Sequence, residues 1–191
     1  MQGKENRIVS SDSEQLVLVD ENDVEIGHLD KLSCHDAGGV LHRAFSLFIF
    51  DADGRLLMQQ RSAAKRLWPL YWSNSCCSHP RRGETMQEAT RRRLRDELNI
   101  AADLEFVYKF AYQADFGESG AENELCSVFL GRTSDEIVAN RSEIAAIRSL
   151  TAAELQAELD ADPQYFTPWF KLEWQRLNLE HCQRLRKYLA L

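Results

Sequence analysis

Cys77 and His79 stand two residues apart in the run Trp72-Ser73-Asn74-Ser75-Cys76-Cys77-Ser78-His79-Pro80. In an extended segment such residues point to the same side. A thiol able to carry a proton would then face the same cavity as an imidazole able to hold a cation. Cys76 would point the other way. Paired cysteines alone are as readily small buried hydrophobes, so the weight of this run comes from its company.

That company is a set of metal-ligand side chains. His35 and His42 precede the first strongly apolar segment, and Glu122-Asn123-Glu124 leads into a later one. On a strand Glu122 and Glu124 share a face and Asn123 points away. With His79 they offer three imidazoles and two carboxylates, a set suited to a first-row divalent ion. Five or six such ligands favour octahedral Mn²⁺ or Mg²⁺ over tetrahedral Zn²⁺. Taken singly, each histidine or Glu-x-Glu reads as an ordinary solvent-facing group. Arg61, Lys65 and Arg66, with Lys31 near His35, form a basic cluster. An arginine grips a phosphate through two parallel N–H donors and lysines add point charge.

From Ser78 the chain runs five residues to Glu84, then seven to Arg92-Arg93-Leu94-Arg95-Asp96-Glu97-Leu98-Asn99-Ile100. The spacing resembles the Nudix box, with Glu84, Arg92, Leu94, Glu97 and Ile100 in place. Ser78 and Asn99 stand where that box has glycines. Arg93 stands where Nudix hydrolases have a metal-binding glutamate, which points to holding a diphosphate without cleaving it. Read without function, residues 84–98 are an amphipathic helix with ionic i,i+4 pairs.

These groups need elements to position them. The chain has 191 residues, 44% hydrophobic and 28% charged, the range of one soluble domain with a sizeable core. A net charge of −7 argues against a nucleic-acid binder. No apolar run approaches the roughly 20 residues that span a bilayer, and residues 1–13 lack a signal-peptide core. A cytoplasmic protein is expected, without membrane or nucleic-acid partners; a homodimer is left open. The five cysteines show no CxxC pair, so neither a disulfide scaffold nor a zinc finger is expected.

Residues 15–20 and 24–28 read as strands around a turn, and 42–50 as a buried strand. Asp51-Ala52-Asp53-Gly54 is a hairpin turn into 55–61. Strands are expected at 106–112, 125–130 and 144–150. Thr151-Ala152-Ala153-Glu154 opens a helix as a capping box, and a last helix starts at Pro168 and runs to about 188. The expected architecture is α+β, an α/β/α sandwich around a mixed sheet with terminal helices. Residues 1–14 are expected to form a flexible tail, and 15–191 one catalytic domain with a Nudix-like core over about 40–175.

Together the motifs resemble the type I isopentenyl-diphosphate isomerases, a branch of the Nudix superfamily, over nearly the whole chain. The carriers are Lys31-x3-His35-x6-His42, Arg61-x3-Lys65, Trp68-Pro69, residues 74–80, Glu122-Asn123-Glu124 and Thr167-Pro168-Trp169-Phe170. The resemblance implies that His35, His42, His79, Glu122 and Glu124 bind Mn²⁺ or Mg²⁺. Cys77 and Glu124 would be acid/base groups on opposite faces of the substrate. Glu97 and the Cys77 backbone carbonyl would hold a Mg²⁺ carrying the diphosphate. Lys31, Arg61, Lys65 and Ser78 would contact that diphosphate, and Tyr112 and Trp169 would line the hydrocarbon pocket. The reaction would move a double bond, from isopentenyl to dimethylallyl diphosphate, through a tertiary carbocation. Two rivals are a Nudix-type diphosphate hydrolase, which gives Cys77 no task, and a catalytically silent metal- or ligand-binding regulator.

Overall fold

The computed structural model describes residues 6–190. Its organising element is β3 (His42–Phe50), buried at every position except Arg43. β8 (Ala121–Arg132) runs parallel beside it, in register from His42↔Glu124 to Phe50↔Arg132. β6 (Cys76–Ser78) is antiparallel to β3, with Ser46 opposite Cys77. β7 (Asp103–Asp115) pairs antiparallel with β8. The hairpin of β1 (Gln15–Val19) and β2 (Glu25–Asp30) joins β3 at Leu18↔His42. β4 (Leu56–Arg61) pairs with β9 (Ile144–Leu150) and with β5 (Trp72–Ser73). The sheet is therefore mixed.

Both faces of β3 are covered, which is why its sequence is a continuous apolar run rather than an alternation. Phe45, Leu47 and Ile49 pack under Ala89, Leu94 and Leu98 of α2 (Met86–Leu98). Ala44, Phe48 and Phe50 meet Trp169, Phe170, Trp174 and Leu177 of α4 (Pro168–Leu179) on the other side. The expected α/β/α sandwich is what these two faces build. The short α1 (Lys31–Cys34), α3 (Ala152–Ala161) and α5 (Cys182–Leu185) complete the α-helices among the described residues. Thr85 and Thr151 each close a capping box at the starts of α2 and α3. Asn99 ends α2 in the left-handed region, φ 57, a role asparagine fills where the Nudix box has glycine.

Two expectations change. The last helix stops at Leu179 instead of continuing to about 188. His181 stacks flat on Tyr108, with centroids 4.7 Å apart. Arg184 donates to the Phe106 and Val107 carbonyls, where β7 slips register, so the chain turns back onto the sheet. The segment expected to fray is also fastened over its described part. Val9 is buried, its carbonyl accepting from Arg81 and Arg93, and the Arg7 carbonyl accepts from Asn140. Residues 1–5 of that expected tail lie outside the described residues.

Candidate active site

The metal-ligand candidates converge at the end of the sheet where β3 and β8 both begin. His42 opens β3 and is paired in register with Glu124. Glu122 lies two residues earlier on β8, His79 follows β6, and His35 closes α1. Gly120, at φ +119, lets the start of β8 press against the α1 turn; a Cβ there would fall 2.1 Å from the His35 carbonyl oxygen. All five ligand atoms lie within 4.8 Å of one another and all five residues are buried.

The ring orientations suit a cation. His35 Nδ1 and His42 Nδ1 donate to the Lys31 and Val40 carbonyls at 2.6 and 2.7 Å. A carbonyl only accepts, so in each neutral ring Nε2 carries the lone pair and faces the cluster. His35 Nε2 lies 2.9 Å from Glu122 Oε2, and His79 Nε2 lies 2.8 Å from Glu124 Oε1. His42 Nε2 has no hydrogen-bond partner. The His35 lone pair facing a carboxylate oxygen, and the unpartnered Nε2 of His42 beside it in a buried space, are a fit for a divalent ion. Burial lowers His42 to about 4, and burial with the two neighbouring imidazoles drives His79 well below its usual range. Neutral imidazole is the form that ligates; His35 shifts the other way, burial lowering it but Glu122 raising it further. Burial and Glu122 push Glu124 upward, while the Tyr112 hydroxyl donates to its Oε2 at 2.6 Å.

Cys77 and His79 face one cavity of about 380 Å³, together with Glu124, Arg61, Tyr112 and Trp169. Cys76 faces the opposite side of the sheet, its Sγ donating to Glu97 Oε1 at 3.3 Å. Burial raises the Cys77 thiol to about 12, against the pull of Arg61, so Cys77 holds a proton. Arg61 Nη1 is 3.9 Å from Cys77 Sγ. Its side chain is pinned by the Leu67 and Trp68 carbonyls, and its guanidinium lies 5.2 Å from the Trp169 ring. Trp68 meets Trp169 edge-on at 5.2 Å, and Tyr112 lies 6.3 Å from it. Tyr112 and Trp169 give the cavity an apolar wall.

The basic residues line the same cavity, as does Ser78. Lys31 donates to Ser10 and Lys65 to Glu143. Arg66 is turned aside, paired with Asp36. Burial first, then Lys65 and Arg93, lowers Lys31 to about 8. The sequence reading missed Glu143 and the inward turn of Arg93. Arg93 is buried and donates to Glu97 at 2.8 Å, Glu143 at 3.1 Å and the Val9 carbonyl at 3.0 Å. Glu97, expected beside a Mg²⁺, is thus also the partner of this arginine. The change at Arg93 was visible as a departure from the box, but Glu143 sits in a loop with no motif around it. Arg93→Met leaves two buried carboxylates without their shared partner. The expected loss is about 3–5 kcal/mol of stability, read by urea unfolding; a loss under about 1 kcal/mol, the surface-pair range, contradicts the triad's role.

A larger groove of about 720 Å³ lies between α2 and β7. Two of its basic residues, Arg43 and Lys109, are already paired with Asp23, and among the described residues no metal-ligand cluster forms there.

Residues 40–170 match the NUDIX domain. A crystal structure from Deinococcus radiodurans superposes with a TM-score of 0.64 at 26% identity, over 78% of this chain and 90% of that one. The MutT NUDIX hydrolase of Burkholderia pseudomallei shares the fold, with a TM-score of 0.55 at 20% identity over 72% and 98% of the two chains. Among curated proteins, Isopentenyl-diphosphate Delta-isomerase 1 of Photorhabdus laumondii is 41% identical over 90% of this chain and 99% of its own length. The protein of that name from Aromatoleum aromaticum is 43% identical over 83% and 89%. With near-complete overlap at this identity, the chain belongs to the isopentenyl-diphosphate Delta-isomerase family, built on a Nudix domain.

Proposed function

We propose that this protein converts isopentenyl diphosphate to dimethylallyl diphosphate. The observation that carries the reading is Cys77, a thiol lining one cavity with Glu124 and the Trp169 indole. A diphosphate hydrolase has no task for that thiol. The reaction adds a proton to C4 of the alkene, leaves a cation at C3 and removes a proton from C2. An unactivated alkene is a very weak base, so the site must supply an acid, a base and little water.

Cys77 and Glu124 carry the two proton transfers in this account. They reach the cavity from β6 and β8, strands that flank β3, which allows one to serve each face of a substrate between them. Tyr112, donating to Glu124, orients its carboxyl. Tyr112 and Trp169 exclude water, and the indole face stabilises the C3 cation by about 2 kcal/mol or more when desolvated. Lys31, Arg61, Lys65 and Ser78, which line the cavity, bind the diphosphate. Mn²⁺ or Mg²⁺ on His35, His42, His79, Glu122 and Glu124 would supply a fixed charge that orders the Glu124 carboxylate, while Glu97 and the Cys77 carbonyl would hold a Mg²⁺ that arrives with the diphosphate. Five free cysteines among the described residues suit a reducing cytoplasm, and among those residues no helix is long and apolar enough to cross a membrane.

Trp169→Phe separates cation stabilisation from pocket lining. The rate is expected to fall about tenfold, since phenyl offers the weaker π face. An ammonium analogue of the intermediate loses more affinity than a saturated neutral-tailed diphosphate. Equal losses would leave Trp169 as wall alone. The reading itself is tested by product analysis with isopentenyl diphosphate and Mg²⁺: dimethylallyl diphosphate supports it, and released phosphate or a monophosphate supports the hydrolase.

A further inference from the structure

Behind the Trp169 indole lie Ser73, Asn74 and Thr167, each fully buried. Trp169 Nε1–H donates to Ser73 Oγ at 3.0 Å. Ser73 Oγ donates to Asn74 Oδ1 at 2.9 Å and lies 2.9 Å from Thr167 Oγ1. A hydroxyl has one proton and two lone pairs. With its proton on Asn74 and one lone pair taken by the indole, Ser73 has one acceptor site left, so Thr167 donates. Asn74 gives its amide hydrogens to the Leu47 and Cys76 carbonyls at 3.2 and 2.9 Å. Those two acceptors fix which end of the amide is nitrogen. A single hydrogen-bond chain thus runs from the ring of Trp169 to the carbonyl of the residue before Cys77.

Thr167 supplies a second, independent sign. It stands at the N-cap of α4 yet makes no side-chain cap bond. Thr85 and Thr151 both cap their helices. A threonine there normally stabilises the helix start; this one turns its hydroxyl to Ser73 instead. Local rules are broken in this way where function needs the group elsewhere. Trp169 has no other hydrogen-bond anchor among the described contacts; its aromatic and cationic neighbours are the edge-on Trp68 ring, the tilted Tyr112 ring and the Arg61 guanidinium.

We propose that Ser73 is a positioning residue for the isomerisation: it fixes the plane of the Trp169 indole toward the reacting carbons and, through Asn74, ties that ring to the strand carrying Cys77. The proposal rests on the isomerase reading above. A π face acts on a cation only over a narrow range of distance and tilt, so loosening the ring weakens cation stabilisation more than diphosphate binding.

The test compares the metal-loaded wild-type enzyme with Ser73→Ala, Ser73→Thr and Thr167→Val. Ser73→Ala is expected to lower kcat about tenfold, the scale of one net hydrogen bond, with KM changed less than about twofold. It weakens an ammonium analogue of the intermediate about tenfold and leaves inorganic pyrophosphate binding unchanged. Ser73→Thr keeps the hydroxyl and restores kcat to within about threefold of wild type. Thr167→Val keeps the shape of its side chain and lowers kcat in the same direction, which secures the result if Ser73→Ala folds poorly. An unchanged kcat, equal losses for the ammonium analogue and pyrophosphate, or no recovery with threonine overturns the proposal. A wild type that forms no dimethylallyl diphosphate refutes the isomerase reading instead, and the two binding measurements still report on Ser73.

Discussion

Cys77→Ala lowers kcat by at least about a hundredfold, the lower range for loss of a positioned acid or base, while fold and metal content stay unchanged. The enclosed thiol is one of two proton carriers on the cavity wall, and Arg61, at 3.9 Å, cannot replace it, because a guanidinium does not give up its proton. The partner experiment is Cys76→Ala. Cys76 points to the α2 face and touches Glu97, so its removal costs packing and leaves most of the activity. Steady-state kinetics with metal analysis and circular dichroism check the pair. A Cys77→Ala enzyme that keeps most of the wild-type rate would show that the thiol carries no proton.

Glu124→Gln is the second large loss. The amide keeps size and one acceptor oxygen, so Tyr112 still has a partner, but no oxygen can take up or release a proton. kcat/KM is expected to fall by about a hundredfold or more, with the Kd for inorganic pyrophosphate little changed. An amide nitrogen beside His79 Nε2, where the carboxylate now sits at 2.8 Å, offers a hydrogen bond in place of a shared cation. Metal content is therefore measured alongside. A variant that has lost both metal and pyrophosphate binding would make Glu124 a ligand only, and the proton role would pass elsewhere.

What was legible in the sequence follows a physical line. β3 could be read because a strand buried on both faces is apolar throughout. Cys77 and His79 could be placed on one side, and Cys76 on the other, because the two-residue period of an extended chain needs no tertiary information. The histidines and carboxylates could be named by type. Their convergence was implied by the family resemblance but not by spacing, because it depends on the parallel pairing of His42 with Glu124, partners far apart in the chain. The Arg93–Glu97–Glu143 triad was hidden for a related reason. In sequence a charged residue looks solvent-facing, and only the fold shows three charges buried against one another. Ser73 was hidden too, since a small polar residue in a fingerprint run carries no sign of which ring it anchors. The end of the last helix was misread because tertiary contacts of His181 and Arg184 stop it, not a local breaker.

The central claim is a proton added at one carbon and removed at another, with the diphosphate intact. The most direct measurement is incubation of the metal-loaded enzyme with isopentenyl diphosphate and Mg²⁺ in D₂O, followed by proton and phosphorus NMR. The account predicts that the vinyl signals disappear, methyl signals of dimethylallyl diphosphate grow in with deuterium in the new methyl group, and the two phosphorus signals persist. Unchanged vinyl signals with the appearance of inorganic phosphate or a monophosphate would contradict it.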